Sequence, residues 1–198
     1  DSLLYRISVY GVPGAIGALS LVALLAWNGE YTTSGSRPLE FRVFEQTGEA
    51  LSPAQALAQL KELPVVDYRD TRLSEFPFWF SFMVKPANFD DPTDIELRSR
   101  HALAASCWDA AGLRSLGNAS REAAAGRMKQ AKTGFVLKLG RLQSQAPLTV
   151  LCRSTLVGPG RIEVAQWSES EFELSAQKFR RDSGVLDGGL IVLSLFVL

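Results

Sequence analysis

Apolar and polar positions divide this chain into three regimes. Residues 7–29 and 188–198 carry no charge, whereas the stretch between them alternates apolar and polar positions as a folded domain does. The first run holds 21 uncharged residues from 7 to 27, which as a helix at about 1.5 Å per residue spans roughly the 30 Å core of a bilayer. Arg6 flanks one end, and Trp27 with Tyr31 sits at the other, where interfacial anchors occur. Pro13 breaks a helix in water, but within a membrane neighbouring helices can satisfy the freed carbonyl. Gly11, Gly14, Ala15, Gly17 and Ala18 leave room for close helix contact. The run is longer than the apolar part of a signal peptide and lacks a small-x-small cleavage site. A transmembrane helix over residues 1–29 is therefore expected. The second run is 11 residues long and ends without a polar flank, and the chain begins at Asp1 rather than Met. Both ends read as cuts in a longer protein, with residues 183–198 the start of a second, truncated transmembrane helix.

Between them, residues 39–44 alternate as a half-buried strand does. Ser52-Pro53 opens a helix, with Ser a good N-cap and Pro suited to the first turn, and Pro64 closes it. Residues 76–85 carry the strongest period-2 signal: Phe76, Phe78, Phe80, Phe82 and Val84 share one side, and Pro77, Trp79, Ser81, Met83 and Lys85 the other. Residues 88–94 read as a turn or loop. Residues 95–108 read as one long strand, with a helix as the alternative. Residues 112–132, rich in Gly, Ala, Ser and charge, read as a long loop with a helical turn. Strands resume at 135–142, 148–155 and 161–167, the last two joined by a turn at Gly158-Pro159-Gly160. Residues 168–182 form either a strand or an amphipathic helix linking the domain to the second apolar run. The expected fold of residues 30–182 is mostly β, a jelly-roll-like sandwich with one or two short helices, flanked by transmembrane helices.

Composition narrows the function. The 198 residues balance 21 Lys and Arg against 21 Asp and Glu, which argues against a nucleic-acid binder. His101 is the single histidine, and no C-x-x-C or H-x-x-x-H spacing occurs, so no metal site and no cofactor are expected. No G-x-S-x-G surrounds a serine, and Gly158-Pro159-Gly160-Arg161 lacks the spacing and Lys of a phosphate loop. Asp90, Asp91 and Asp94 lack the Gly and closing Glu of a calcium loop and read as a solvated turn. Glu169 and Glu171 read as solvated carboxylates rather than a catalytic pair. No catalytic residue is assigned to this stretch of chain.

Four residues stand out as candidates for recognition. Trp79 and Trp108 lie in segments read as strands, where an exposed indole stacks on a ring and a buried one is core. Arg153, on a predicted strand, needs either a carboxylate partner or an acidic ligand, and Asp109 beside Trp108 is one such partner. Cys107 and Cys152 lie 45 positions apart; they are either a disulfide formed in an oxidising compartment or two buried thiols.

Phe78-Trp79-Phe80-Ser81-Phe82 resembles the early aromatic strand of the extracellular module in seven-transmembrane receptors with diverse intracellular signalling modules. Residues 148–153 resemble the later strand of that module that carries an Arg. Residues 183–190, with their Gly pair entering an apolar run, resemble its junction with the next membrane helix. The same stretch is similar to the sensor part of membrane-bound diguanylate cyclases of proteobacteria. The resemblance covers about residues 70–198. It differs in that an apolar run also precedes the module here. It implies a jelly-roll-like periplasmic sensor in a bacterial inner membrane, binding a small ligand or a periplasmic protein. The output would be a cytoplasmic enzyme, a diguanylate cyclase making cyclic di-GMP or a histidine kinase, whose motifs this stretch does not contain. A ligand would favour one of two helix arrangements, passed inward as a piston, a tilt or a change within a homodimer. The rival expectation is a membrane-anchored periplasmic scaffold that binds a protein partner and no small ligand.

Overall fold

The computed structural model describes residues 5, 7–11, 13–18, 20–21, 35–85, 91–142, 146–181 and 184. The chain divides into two units, Asp1–Ser34 and Gly35–Leu198. The described residues of the first are helical, with a π-helical turn at Ile7–Gly11. Among the described residues no helix is long and apolar enough to cross a membrane. Apart from Gly184, the expected second membrane segment lies outside the described residues, as does much of the first.

The second unit is mostly β. Its strands are β1 (Arg37–Pro38), β2 (Phe41–Glu45), β3 (Arg69–Asp70), β4 (Phe78–Val84), β5 (Thr93–Arg98) and β6 (Ala102–Asp109), then β7 (Arg114–Ser120), β8 (Ala124–Gly126), β9 (Met128–Ala131), β10 (Gly134–Gly140), β11 (Leu148–Leu156) and β12 (Arg161–Ser168). Helix α1 is Pro53–Lys61, and helix α2 covers residues 169–181. These two are as many short helices as the sequence pattern suggests for this unit; the described helical residues of the first unit, which fall within the expected first membrane segment, make a third. Two antiparallel sheets result. The first has the order β1-β12-β5-β10-β9, with β3 also on β12; the second has the order β2-β4-β11-β6-β7-β8.

The inner faces of both sheets build one core. Phe78, Phe80, Phe82 and Val84 of β4 meet Ile95 and Leu97 of β5, Leu137 of β10 and Val164 of β12. This is the side that the alternation of β4 assigns to the interior. Trp79, on its other side, is buried as well, because α1 covers it, and Ser81 on the same side is also buried. The helix starts where Ser52 caps it: Gln55 N–H donates to Ser52 Oγ at 3.4 Å, and Ser52 N–H donates to Gln55 Oε1 at 2.9 Å, a reciprocal capping box. Leu60 and Ala56, fully buried, are the face it presents to the second sheet.

Three expectations are corrected. Residues 95–108 are two strands, β5 and β6, because the turn at residues 99–101 reverses the chain. Residues 112–132 are not a loop but the strands β7, β8 and β9. Only Leu116, Ala119 and Met128 of that stretch reach the main core, so its apolar alternation is faint while its backbone ladder is complete enough to pair. Gly117, at φ +151°, lets β7 approach its neighbour: a Cβ there would stand 2.5 Å from the Ala125 carbonyl oxygen. Asp94 belongs to β5 rather than to a solvated turn, and it is 1% exposed. Residues 169–181 take the helical of the two readings left open.

Candidate functional site

The outward face of the first sheet carries an unusual set of buried charges. On β5, Asp94 and Glu96 alternate with the core residues Ile95 and Leu97, so their carboxylates point away from the core. A buried carboxylate requires partners, and Glu96 has three. Arg98 Nε donates to Glu96 Oε2 at 2.9 Å, Trp167 Nε1 donates to the same oxygen at 2.9 Å, and Thr133 Oγ1 donates to Glu96 Oε1 at 2.6 Å. The Arg98 guanidinium also lies 5.5 Å from the Trp167 ring centroid. Asp94 is served less well. Its Oδ2 lies 3.8 Å from Lys138 Nζ and has no hydrogen-bond partner. Burial pushes its carboxyl up to about 6, against the pull of Lys138 and with Glu169 and Glu173 adding to the rise.

Helix α2 closes over this face. Ser168 is its cap: Glu171 N–H donates to Ser168 Oγ at 3.3 Å, and Ser168 Oγ donates to Glu171 Oε2 at 2.9 Å. One turn in, Phe172 packs edge-on against Trp167 with centroids 5.9 Å apart, and joins Val136 and Ala165 in a small apolar cluster. Two lysines of the sheet then reach the helix. Lys138 Nζ donates to Glu169 Oε1 at 2.8 Å, and this bond is the main cause that raises the Lys138 ammonium. Lys132 Nζ donates to Ser175 Oγ at 2.6 Å and lies 5.6 Å from the Phe179 ring centroid. Burial is the main cause that lowers Lys132. Beside these contacts, between β9, β10 and α2, runs a groove of about 700 Å³ lined by residues that include Lys129, Lys132, Val136, Phe172, Phe179 and Arg180.

Of the residues singled out by sequence, Trp79, Trp108 and Arg153 lie on the opposite side of the β unit, on the outward face of the second sheet. Arg153 pairs in register with Trp79 on β4 and with Ser106 on β6. Its guanidinium lies 5.9 Å from the Trp79 ring centroid, and Trp108 stacks on Trp79 at 5.5 Å. The structure thus brings Arg153, Trp79 and Trp108 together. Trp79 is 2% exposed and its indole N–H donates to Gln46 Oε1 at 2.7 Å, so this indole is a packed part of the α1 contact. Asp109 is not Arg153's partner: its Oδ1 accepts from the Ala111 N–H at 3.0 Å and closes the turn that follows β6. Cys107 and Cys152 stand opposite one another on β6 and β11 and form a disulfide inside the core. His101 lies in the β5–β6 turn, where a Cβ on Gly160 would meet its own Cβ at 3.3 Å. Among the described residues no group of three or more His, Cys, Asp or Glu is placed to hold a metal ion.

Sequence reading missed the α2 face. One signal was present: Ser168-Glu169-Ser170-Glu171 has the S-x-x-E spacing of a capping box before apolar Phe172. Nothing in the local pattern indicated that Lys132, in the β9–β10 turn, and Lys138, on β10, would meet one helix.

No family model and no curated protein matches this chain. Among solved structures, a calcium-binding mutant of Bacteroides uniformis beta-glucuronidase 2 is similar over 66% of this chain, with 11% identity and a TM-score of 0.39. This chain spans 18% of that enzyme's length, and a likeness at this level carries no functional argument.

Proposed function

We propose that this chain is the periplasmic sensory region of a bacterial inner-membrane signalling protein, controlling a cytoplasmic output domain, a diguanylate cyclase by preference. The observation that carries the reading is the docking of α2. In sequence this helix precedes the apolar run at residues 188–198, read as the second membrane helix, and its hold on the first sheet joins ionic contacts to a small apolar cluster around Phe172. A molecule that touches both the sheet and the helix changes the balance between docked and released α2, which is what coupling by differential binding requires. Within this reading the β unit is a jelly roll. The strand orders β1-β12-β5-β10 and β4-β11-β6-β7 support it, since they interleave two Greek keys as that fold does. The core disulfide fits a periplasmic location, and residues 1–29 supply the other membrane helix of a homodimer.

The gene itself tests the reading. Sequencing beyond the codon for Leu198 is expected to complete an apolar helix and then enter a cytoplasmic diguanylate cyclase or kinase domain. A stop codon soon after Leu198 with no output domain overturns it.

A second reading, a membrane-anchored scaffold that binds a periplasmic protein, is favoured by one observation. The segment before β4 exposes Val65, Tyr68, Leu73 and Phe76, with Leu73 at φ +64°. Thr71 pins this segment to the β11–β12 turn, its Oγ1 donating to the Gly158 carbonyl at 3.2 Å and accepting from the Gly160 N–H at 2.9 Å. Rigidly presented apolar side chains of this kind suit a protein partner.

A further inference from the structure

The groove between β9, β10 and α2 has an unbalanced chemistry. Its volume of about 700 Å³ falls within the size range of small-molecule sites. Val136, Phe172 and Phe179 supply an apolar floor. Lys129, Lys132, Lys138 and Arg180 stand around it against the single carboxylate of Glu173, four positive charges less one, a lining charge of +3. Lys138 already answers to Glu169 and Asp94, but Lys129, Lys132 and Arg180 have no ion-pair partner among the described residues.

Lys132 is the informative member. Its ammonium is partly withdrawn from water and touches Ser175 through Oγ at 2.6 Å and the carbonyl at 3.5 Å. An ammonium has three N–H donors, so these contacts leave one in hand. The nearby Glu96 carboxylate does not take it, being held by Arg98, Trp167 and Thr133. A desolvated cation without a carboxylate is a cost that an incoming anion removes.

We propose that the groove binds a small organic anion: a carboxylate that pairs with Lys132 and Arg180, on an apolar body that lies over Val136, Phe172 and Phe179. This names the ligand class for the sensor reading, and rests on that reading only for what the binding is for. Because its walls belong to the first sheet and to α2, an occupied groove favours the docked helix.

Titration calorimetry of the full chain with octanoate tests it, with inorganic phosphate and 1-octanol as probes of the charge alone and of the apolar body alone. Saturable one-to-one binding of octanoate is expected, with Kd below about 1 mM. The double variant Lys132→Gln/Arg180→Gln is expected to bind about tenfold more weakly or worse, as loss of a charge-assisted contact predicts, with an unchanged far-ultraviolet circular dichroism spectrum. Phe179→Ala, on a later turn of α2, weakens octanoate through the apolar half and serves if the double variant does not fold. The proposal is overturned if octanoate does not saturate, if the folded variants bind it as the parent does, or if phosphate or 1-octanol binds equally well. The two readings fail separately. An output domain with no octanoate binding leaves a sensor with a different ligand, and octanoate binding with no output domain leaves a binding domain that is not a sensor.

Discussion

The outward faces of the two sheets are each covered by one helix, and they are covered by different physics. Under α1 the contact is apolar: Ala56 and Leu60 are fully buried against Trp79 and Leu151, and the one polar atom of the Trp79 ring is satisfied by Gln46. Under α2 a small apolar cluster around Phe172 shares the face with Asp94, Glu96, Arg98, Lys132 and Lys138. Apolar contact is non-directional and indifferent to pH, and its strength grows with the area removed from water. Ionic contact depends on protonation, on salt and on competing ions. One helix is therefore built into the fold, and the other is held by interactions that a change of conditions or an anion can tune.

The sharpest way to break this contrast is to weaken each helix contact in turn. Leu60→Ala removes a fully buried side chain and is expected to cost about 2–5 kcal/mol of global stability. Urea unfolding followed by Trp fluorescence and by circular dichroism should shift as a single transition. Phe172→Ala is expected to cost less, about 1–3 kcal/mol, because α2 can open without unfolding the sheets. Here hydrogen exchange should quicken across residues 169–181 while protection in β4 and β11 holds. If Phe172→Ala loosens both faces together, α2 is not a separate element and the contrast is lost.

The subtlest distinction is in pH. The folded-state value of Asp94, about 6, lies above its ordinary 3.8, so between these values the fold binds more protons than the unfolded chain. The stability this carboxyl contributes is fully present below the lower value and is lost as pH rises through about 6. Asp94→Asn is expected to flatten that slope and to stabilise the protein at neutral pH on the order of 1 kcal/mol. Urea midpoints measured across mildly acidic and neutral pH check both signs. A slope that persists unchanged in Asp94→Asn places the titrating group elsewhere.

Part of this architecture was legible along the chain. The alternation of Phe78, Phe80 and Phe82 marks β4, Ser52-Pro53 marks the start of α1, and Gly158-Pro159-Gly160 marks the turn into β12. In each case the signal is local, a matter of side-chain period, a cap or a turn residue. The candidate site was scarcely legible, because its members come from distant places: Asp94 from β5, Lys132 and Lys138 from either end of the β9–β10 hairpin, and Glu169 and Phe172 from α2. The recognition candidates picked from residue type were drawn together at Arg153, Trp79 and Trp108, but under the apolar helix rather than beside the groove.

What the sequence determined by itself was the mostly β character, the uncharged runs at both ends and the inward face of the central strands, since all three follow from the order of apolar and polar residues. What only the tertiary structure decided was the pairing of β7, β8 and β9, the partner of each cysteine and the burial of Asp94 and Glu96. The physical reason is the same for all of these. Ladder hydrogen bonds join backbone groups whatever side chains they carry, and a carboxylate is buried or solvated according to what another part of the chain lays over it.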